Sequence, residues 1–141
     1  MADDYPKYLY RGTTTNYIGP QGLINTMSNG LGHHTKIYFF TNPEDAVLYA
    51  YLHKQGGDQD TIFSMLPGGV PVIVVIKVDE HLQKQLEEGW EYDHGVEWFI
   101  RGGFVPSNNI IQIFQLPKTY SWAQAYKMLD SGRLKLTGLI R

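Results

Sequence analysis

The sequence contains no cysteine, which excludes disulfide frameworks, thiolate nucleophiles, cysteine zinc sites and iron–sulfur ligation. Charge is scarce too: Asp, Glu, Lys and Arg make up 18% of the 141 residues, where an average soluble domain has about 25%. Lys plus Arg number 12 and Asp plus Glu 14, a net charge of −2. That balance gives no global attraction to nucleic acid or an anionic membrane, so any cationic footprint has to be local. Long apolar runs are missing, since residues 70–76 are far too short to span a bilayer. The opening Met1-Ala2-Asp3-Asp4-Tyr5-Pro6 has no basic segment leading into an apolar stretch, the mark of an export signal. Glycines do not fall at phosphate-binding spacing: Gly12 is isolated, and Gly102-Gly103 lacks both a downstream Lys-Ser/Thr and the Rossmann pattern. With no internal repeat or low-complexity tract, the expectation is one soluble domain over residues 1–141, without signal peptide or membrane contact.

What the chain does have is aromatic side chains, 10 Tyr, 6 Phe and 3 Trp, and short β-branched runs set between turn signals. Tyr8-Leu9-Tyr10 predicts a strand reaching Arg11 and stopping at Gly12. Residues 16–35 are punctuated by Gly19-Pro20, Gly22, Gly30 and Gly32 and read as a loop, with at most a short helix through Leu23, Ile24 and Met27. Ile37-Tyr38-Phe39-Phe40 is a second strand. A helix follows, with Asn42 as its cap, Pro43 in its first turn and two acids after it. Residues 70–78 have the β-branched density of a central strand. Asp79 is expected to cap a helix through Leu82 and Leu86 that ends at Gly89. Further strands are expected at 96–100 and 110–116, and a helix capped by Ser121 and Gln124 that stops at Gly132. The tail, 134–137, reads as an edge strand or a segment packed across the surface. This order of elements fits α+β better than a regular βαβ series.

Three polar residues stand beside strands: Arg11, Thr41 and Glu97, separated by 30 and then 56 residues. In a compact sheet they can converge. A guanidinium, a short hydroxyl and a carboxylate suit a phosphorylated sugar, because Arg forks onto phosphate while a carboxylate accepts from sugar hydroxyls. Glu97 is the sharpest of the three, since it interrupts the apolar run Val96-Glu97-Trp98-Phe99-Ile100. Protection of an edge strand is the competing explanation for it. His33-His34 has neither the local carboxylate nor the third histidine that a metal site would need, and reads as polar loop. His94 sits in the turn Asp93-His94-Gly95, Trp98 reads as a core anchor, and Arg101 is placed to meet a phosphate.

Tyr8-Leu9-Tyr10-Arg11-Gly12, Tyr38-Phe39-Phe40-Thr41-Asn42 and Val96-Glu97-Trp98-Phe99-Ile100-Arg101-Gly102-Gly103-Phe104-Val105-Pro106 together resemble the ADP-ribosyltransferase family. The likeness is to its cholera-toxin-like branch, with arginine, serine-threonine-serine and glutamate motifs. The resemblance implies an α+β fold with a split two-sheet core and flanking helices, holding NAD in its cleft. It implies catalytic roles for Glu97, Thr41 and Arg11. It implies NAD contacts at Arg11, Gly12, Thr13, Tyr38, Phe40, Thr41 and Glu97, with no metal. In that scheme Arg11 supports the ribose and phosphate region, the Gly12 backbone approaches the nicotinamide carboxamide, Thr41 orients the glutamate, and Tyr38 or Phe40 faces the nicotinamide ring. Glu97 binds the nicotinamide-ribose hydroxyl and stabilises the cationic transition state.

The sequence departs from the family pattern at Gly95, where relatives carry Glu or Gln, and at Phe40-Thr41-Asn42, which lacks the outer hydroxyls. The implied function is a mono-ADP-ribosyltransferase toxin or effector acting on a macromolecular acceptor, protein or nucleic acid. It would be secreted or delivered into a target-cell cytoplasm, with an immunity protein as partner in the producer. A small-molecule (antibiotic-type) transferase, an NAD hydrolase and a noncatalytic NAD-fold binding module are the alternatives.

Overall fold

The computed structural model describes residues 5–20, 22–24, 36–54, 69–91, 95–101 and 104–141. Among the described residues, nine strands and three α-helices follow in chain order as β1 (Tyr8–Thr14), β2 (Ile18–Gly19), β3 (Gly22–Ile24), β4 (Lys36–Phe40), α1 (Pro43–Lys54), β5 (Pro71–Lys77), α2 (Glu80–Gln83), β6 (Leu86–Glu91), β7 (Val96–Arg101), β8 (Phe104–Pro106), β9 (Ile110–Gln115) and α3 (Trp122–Asp130). Two sheets result, one of six strands in the order β6-β7-β4-β1-β5-β9 and one of three in the order β2-β3-β8. Every recorded pairing is antiparallel, so the class is α+β.

The six-stranded sheet carries a core on each face. One holds Leu9, Ile37, Phe39, Val72, Val74, Ile76 and Ile100 together with Val105 of the small sheet and Leu82 of α2. The other holds Tyr10, Phe40, Ile73 and Val75 against Ala46, Val47, Ala50 and Tyr51 of α1, Ala125 of α3, and Leu136 and Leu139 of the tail. β5 therefore has no polar face, and its residues 71–76 are all buried. This is the central strand that its β-branched run predicts, each Val or Ile contributing about 1.5–3 kcal/mol of burial.

The helix starts follow the local chemistry. Asn42 Oδ1 accepts from the Glu44 N–H at 2.8 Å, with Pro43 at the first helical position. Ser121 Oγ accepts from Gln124 N–H at 3.1 Å, and α3 closes through Gly132 at φ +74°, where Arg133 N–H reaches Met128 O at 2.9 Å.

Three expectations need correction. β1 does not stop at Gly12 but runs to Thr14, because β5 pairs with it along its whole length from Tyr8↔Lys77 to Thr14↔Pro71. Gly22–Ile24 is a strand rather than helix, since its backbone finds Phe104–Pro106 as partner; Met27 lies outside the described residues. The helix after Asp79 ends at Gln83, and Leu86–Glu91 is a strand. Leu82 and Leu86 are both buried in the same core, so their spacing reads as a helical face, but pairing of Leu86 with Ile100 decides the conformation. Of the two readings of the tail, the packed segment holds: it adds no strand and buries Leu136 and Leu139.

The two edges of the large sheet differ. β6 carries Glu87, Glu88 and Glu91, whereas β9 has no charge and leaves Ile111 and Ile113 exposed. Gln112 of β9 is clasped by the tail, donating from Nε2 to Gly138 O at 2.8 Å and accepting at Oε1 from Ile140 N–H at 2.7 Å.

Candidate active site

Arg11 lies where the large sheet opens. β1 and β4 are registered at Tyr10↔Phe40 among the described residues, and beyond that pair the strands part. The Arg11 guanidinium crosses the opening, its Nη1 donating to Tyr38 O at 2.9 Å. It is buried, at 6% exposure, and burial lowers its pKa to about 10, against a smaller opposing influence from Tyr17. The group is therefore still a cation at neutral pH. Thr13, on the same face of β1 by strand alternation, is fully buried, and its hydroxyl makes no hydrogen bond among the described residues.

Gly12 points the other way. A Cβ there would lie 2.7 Å from the Ala46 carbonyl carbon and 2.8 Å from Ala50 N, and closer still to Ala46 O. The glycine is required by the approach of α1 to β1, a use that the sequence does not reveal.

Thr41 directly follows β4 and clasps the start of β7. Its N–H donates to Val96 O at 3.0 Å, and its Oγ1 accepts from Val96 N–H at 2.8 Å. The hydroxyl occupies the space that a Cβ on Gly95 would need. A side chain at position 95 would have to displace that hydroxyl.

Glu97 pairs with Phe40, and Phe40 with Tyr10, so these three side chains share the face that α1 covers. Arg11 projects from the opposite face of β1, so the Arg11 and Glu97 side chains lie on opposite faces of the sheet. Glu97 is 6% exposed, and its Oε1 accepts a long hydrogen bond of 3.4 Å from Trp90 N–H. Tyr38 is partly exposed and stands against Phe99, with ring centroids 5.6 Å apart. Burial raises its phenol pKa and the Glu97 charge adds to that, with Arg101 opposing. Phe40 is buried in the helix-side core and lies 5.1 Å from the Tyr49 ring.

The remaining candidates divide. Trp98 packs against the core and Tyr5, as an anchor should. Arg101 is engaged by Glu87 in a two-pronged ion pair. His33, His34, His94, Gly102 and Gly103 lie outside the described residues. Among the described residues no cluster of His, Asp and Glu could hold a metal ion, and no helix is long and apolar enough to cross a membrane. Trp90, which was not singled out from the sequence, has an indole that is 77% exposed although its backbone touches Glu97. An open cleft of about 300 Å³ between α1 and α3, lined by Glu44, Asp45, Leu48, Tyr126, Leu129 and Asp130, contains none of the candidate residues. Comparison with known protein-family models gives no match, and comparison with curated proteins gives none either.

Proposed function

We propose that this protein is a mono-ADP-ribosyltransferase of the split two-sheet type, using NAD as donor and a protein or nucleic acid as acceptor. The reading rests on one observation: Arg11, Thr41 and Glu97, from three distant stretches of sequence, come from neighbouring strands, on β1, directly after β4 and on β7, beside the registered row Tyr10–Phe40–Glu97. The residues suit the donor chemically. The buried Arg11 cation can fork onto a phosphate, and the Thr13 hydroxyl, which makes no hydrogen bond among the described residues, is a group that a ribose would satisfy.

In this reading the nicotinamide–ribose bond breaks with its electron pair leaving on nicotinamide, and positive character develops at the ribose. The fixed Glu97 carboxylate stabilises that charge, and an acceptor nucleophile then forms the new bond and releases its proton. Thr41 acts on Glu97 through the Val96 backbone. With no side chain at position 95, acceptor choice falls to other residues of the β6–β7 region. Delivery as a toxin or effector, with an immunity partner, belongs to the same proposal by analogy with the family it resembles.

A noncatalytic binding module is the competing reading, and the observation in its favour is that Arg11 and Thr41 both already engage backbone groups. Nicotinamide release from NAD, in buffer and in cell extract, separates the two. Glu97→Gln should retain the fold and NAD binding while release falls by about 10²–10³-fold, the usual scale for losing one preorganised electrostatic group. Equal release by a folded Glu97→Gln protein would refute the assignment.

A further inference from the structure

We propose that a β-bulge at Gly89–Trp90 is the seat of the Glu97 carboxylate, and that Gly89 is a positioning residue for it; the kinetic consequence rests on the ADP-ribosyl transfer reading, the geometry does not. Along β6 and β7 the register runs Leu86↔Ile100, Glu87↔Phe99 and Glu88↔Trp98, then resumes at Glu91↔Val96. Two residues, Gly89 and Trp90, therefore stand opposite one, and that one is Glu97. A bulge bends its strand and re-aims side chains beside it. Here it brings the Trp90 N–H within 3.4 Å of Glu97 Oε1.

Gly89 supplies the space. A Cβ at this position would lie 2.6 Å from Glu97 Oε1 and 3.3 Å from its Cγ. The carboxylate thus occupies room that any other residue at 89 would take. The nearest atom, Oε1, is the end of a flexible side chain, while the backbone Glu97 O at 3.3 Å has only a few tenths of an ångström to give, so the fold can absorb a methyl group there, but the carboxylate then has to move. Edge protection is the ordinary use of a bulge on an outer strand. It does not account for this one, because β6 already carries Glu87, Glu88 and Glu91, and blunting an edge requires no glycine aligned with a buried acid on the neighbouring strand.

The test compares wild type, Gly89→Ala, Glu97→Gln, Glu97→Asp and the Gly89→Ala/Glu97→Asp double variant, in the full chain. Nicotinamide release gives kcat and KM for NAD, and the Trp90 backbone amide resonance in ¹⁵N-labelled protein reports the hydrogen bond. Gly89→Ala should lower kcat by about tenfold or more with KM nearly unchanged. It should also shift the Trp90 amide in the direction that Glu97→Gln shifts it. In the Glu97→Asp background, where the carboxylate is withdrawn by one methylene, the same substitution should cost nothing further, as expected for residues coupled by direct contact. An equal loss in both backgrounds, or a Trp90 amide indifferent to Gly89→Ala, would overturn the seat. So would a Trp90 amide indifferent to Glu97→Gln, a measurement that leaves position 89 intact. If wild-type protein releases no nicotinamide, the transferase reading fails, and the amide responses alone decide whether the seat stands.

Discussion

Replacing Gly12 with alanine separates a packing role from a ligand-approach role at that position. The added methyl would lie 2.7 Å from the Ala46 carbonyl carbon and 2.8 Å from Ala50 N, both in the backbone of α1. Carbon atoms settle at about 3.5–4.0 Å, and Ala46 O lies closer still to the added methyl, so α1 has to retreat by more than about 1 Å from β1. The retreat loosens the contacts of Ala46, Val47, Ala50 and Tyr51 with the sheet, all of them fully or almost fully buried. Overpacking against backbone falls at the upper end of about 1–3 kcal/mol. Stiffening of the unfolded chain returns about 0.4–1 kcal/mol where alanine fits the backbone, which leaves a net loss of about 2 kcal/mol. With a urea m-value of about 2 kcal/mol/M, the midpoint should drop by about 1 M. Equilibrium urea unfolding followed by far-UV circular dichroism measures this directly. Gly19→Ala is the control: the nearest atom to its added methyl is Gly22 O at 4.0 Å, and its midpoint should stay at the wild-type value. Coincident midpoints for Gly12→Ala and wild type would show that α1 does not require the glycine, and the packing argument would fall.

Thr41→Val removes the acceptor for the Val96 N–H and should cost about 1–2 kcal/mol, whereas Thr41→Ser keeps the oxygen and most of the stability; denaturant midpoints of the pair check this. Tyr51→Phe strips the donor from Pro117 O, a contact of 2.6 Å, and should lower Tm by about 5 °C in a thermal melt. Asp79 accepts from the Leu82 N–H, which holds its carboxyl below the ordinary value of 3.8. Because that native pKa is depressed, the stability it contributes is present above 3.8 and disappears as pH falls through the native value. Asp79→Ala should therefore be about 1 kcal/mol less stable at neutral pH, and the gap should close in strong acid when unfolding is followed across pH.

The elements legible in the sequence are those whose cause is local. Asn42-Pro43 and Ser121 announce helix starts, and the β-branched run at 70–78 announces a strand buried on both faces. Elements decided by distant partners are not legible there. Gly22–Ile24 becomes a strand through residues some eighty positions later, and Leu86–Glu91 becomes one because β7 is there to pair with it. The same division runs through the candidate site. Arg11, Thr41 and Glu97 could be picked out as polar residues at strand ends. The steric duties of Gly12, Gly89 and Gly95 could not, because each is defined by an atom from another element: Ala46 O, Glu97 Oε1 and Thr41 Oγ1.

The contrast between the two sheet edges has a consequence for how the protein behaves in concentrated solution. Glutamates on β6 make an approaching strand repel, but Ile-Ile-Gln-Ile-Phe-Gln on β9 combines high β-propensity with neither charge nor proline, the composition of segments that stack into intermolecular sheets. The tail's grip on Gln112 ties this strand to the rest of the fold without changing that composition. Loss of material during purification would therefore begin at one side of the molecule, and a single lysine in place of Ile113, exposed on that strand, is the economical way to suppress it.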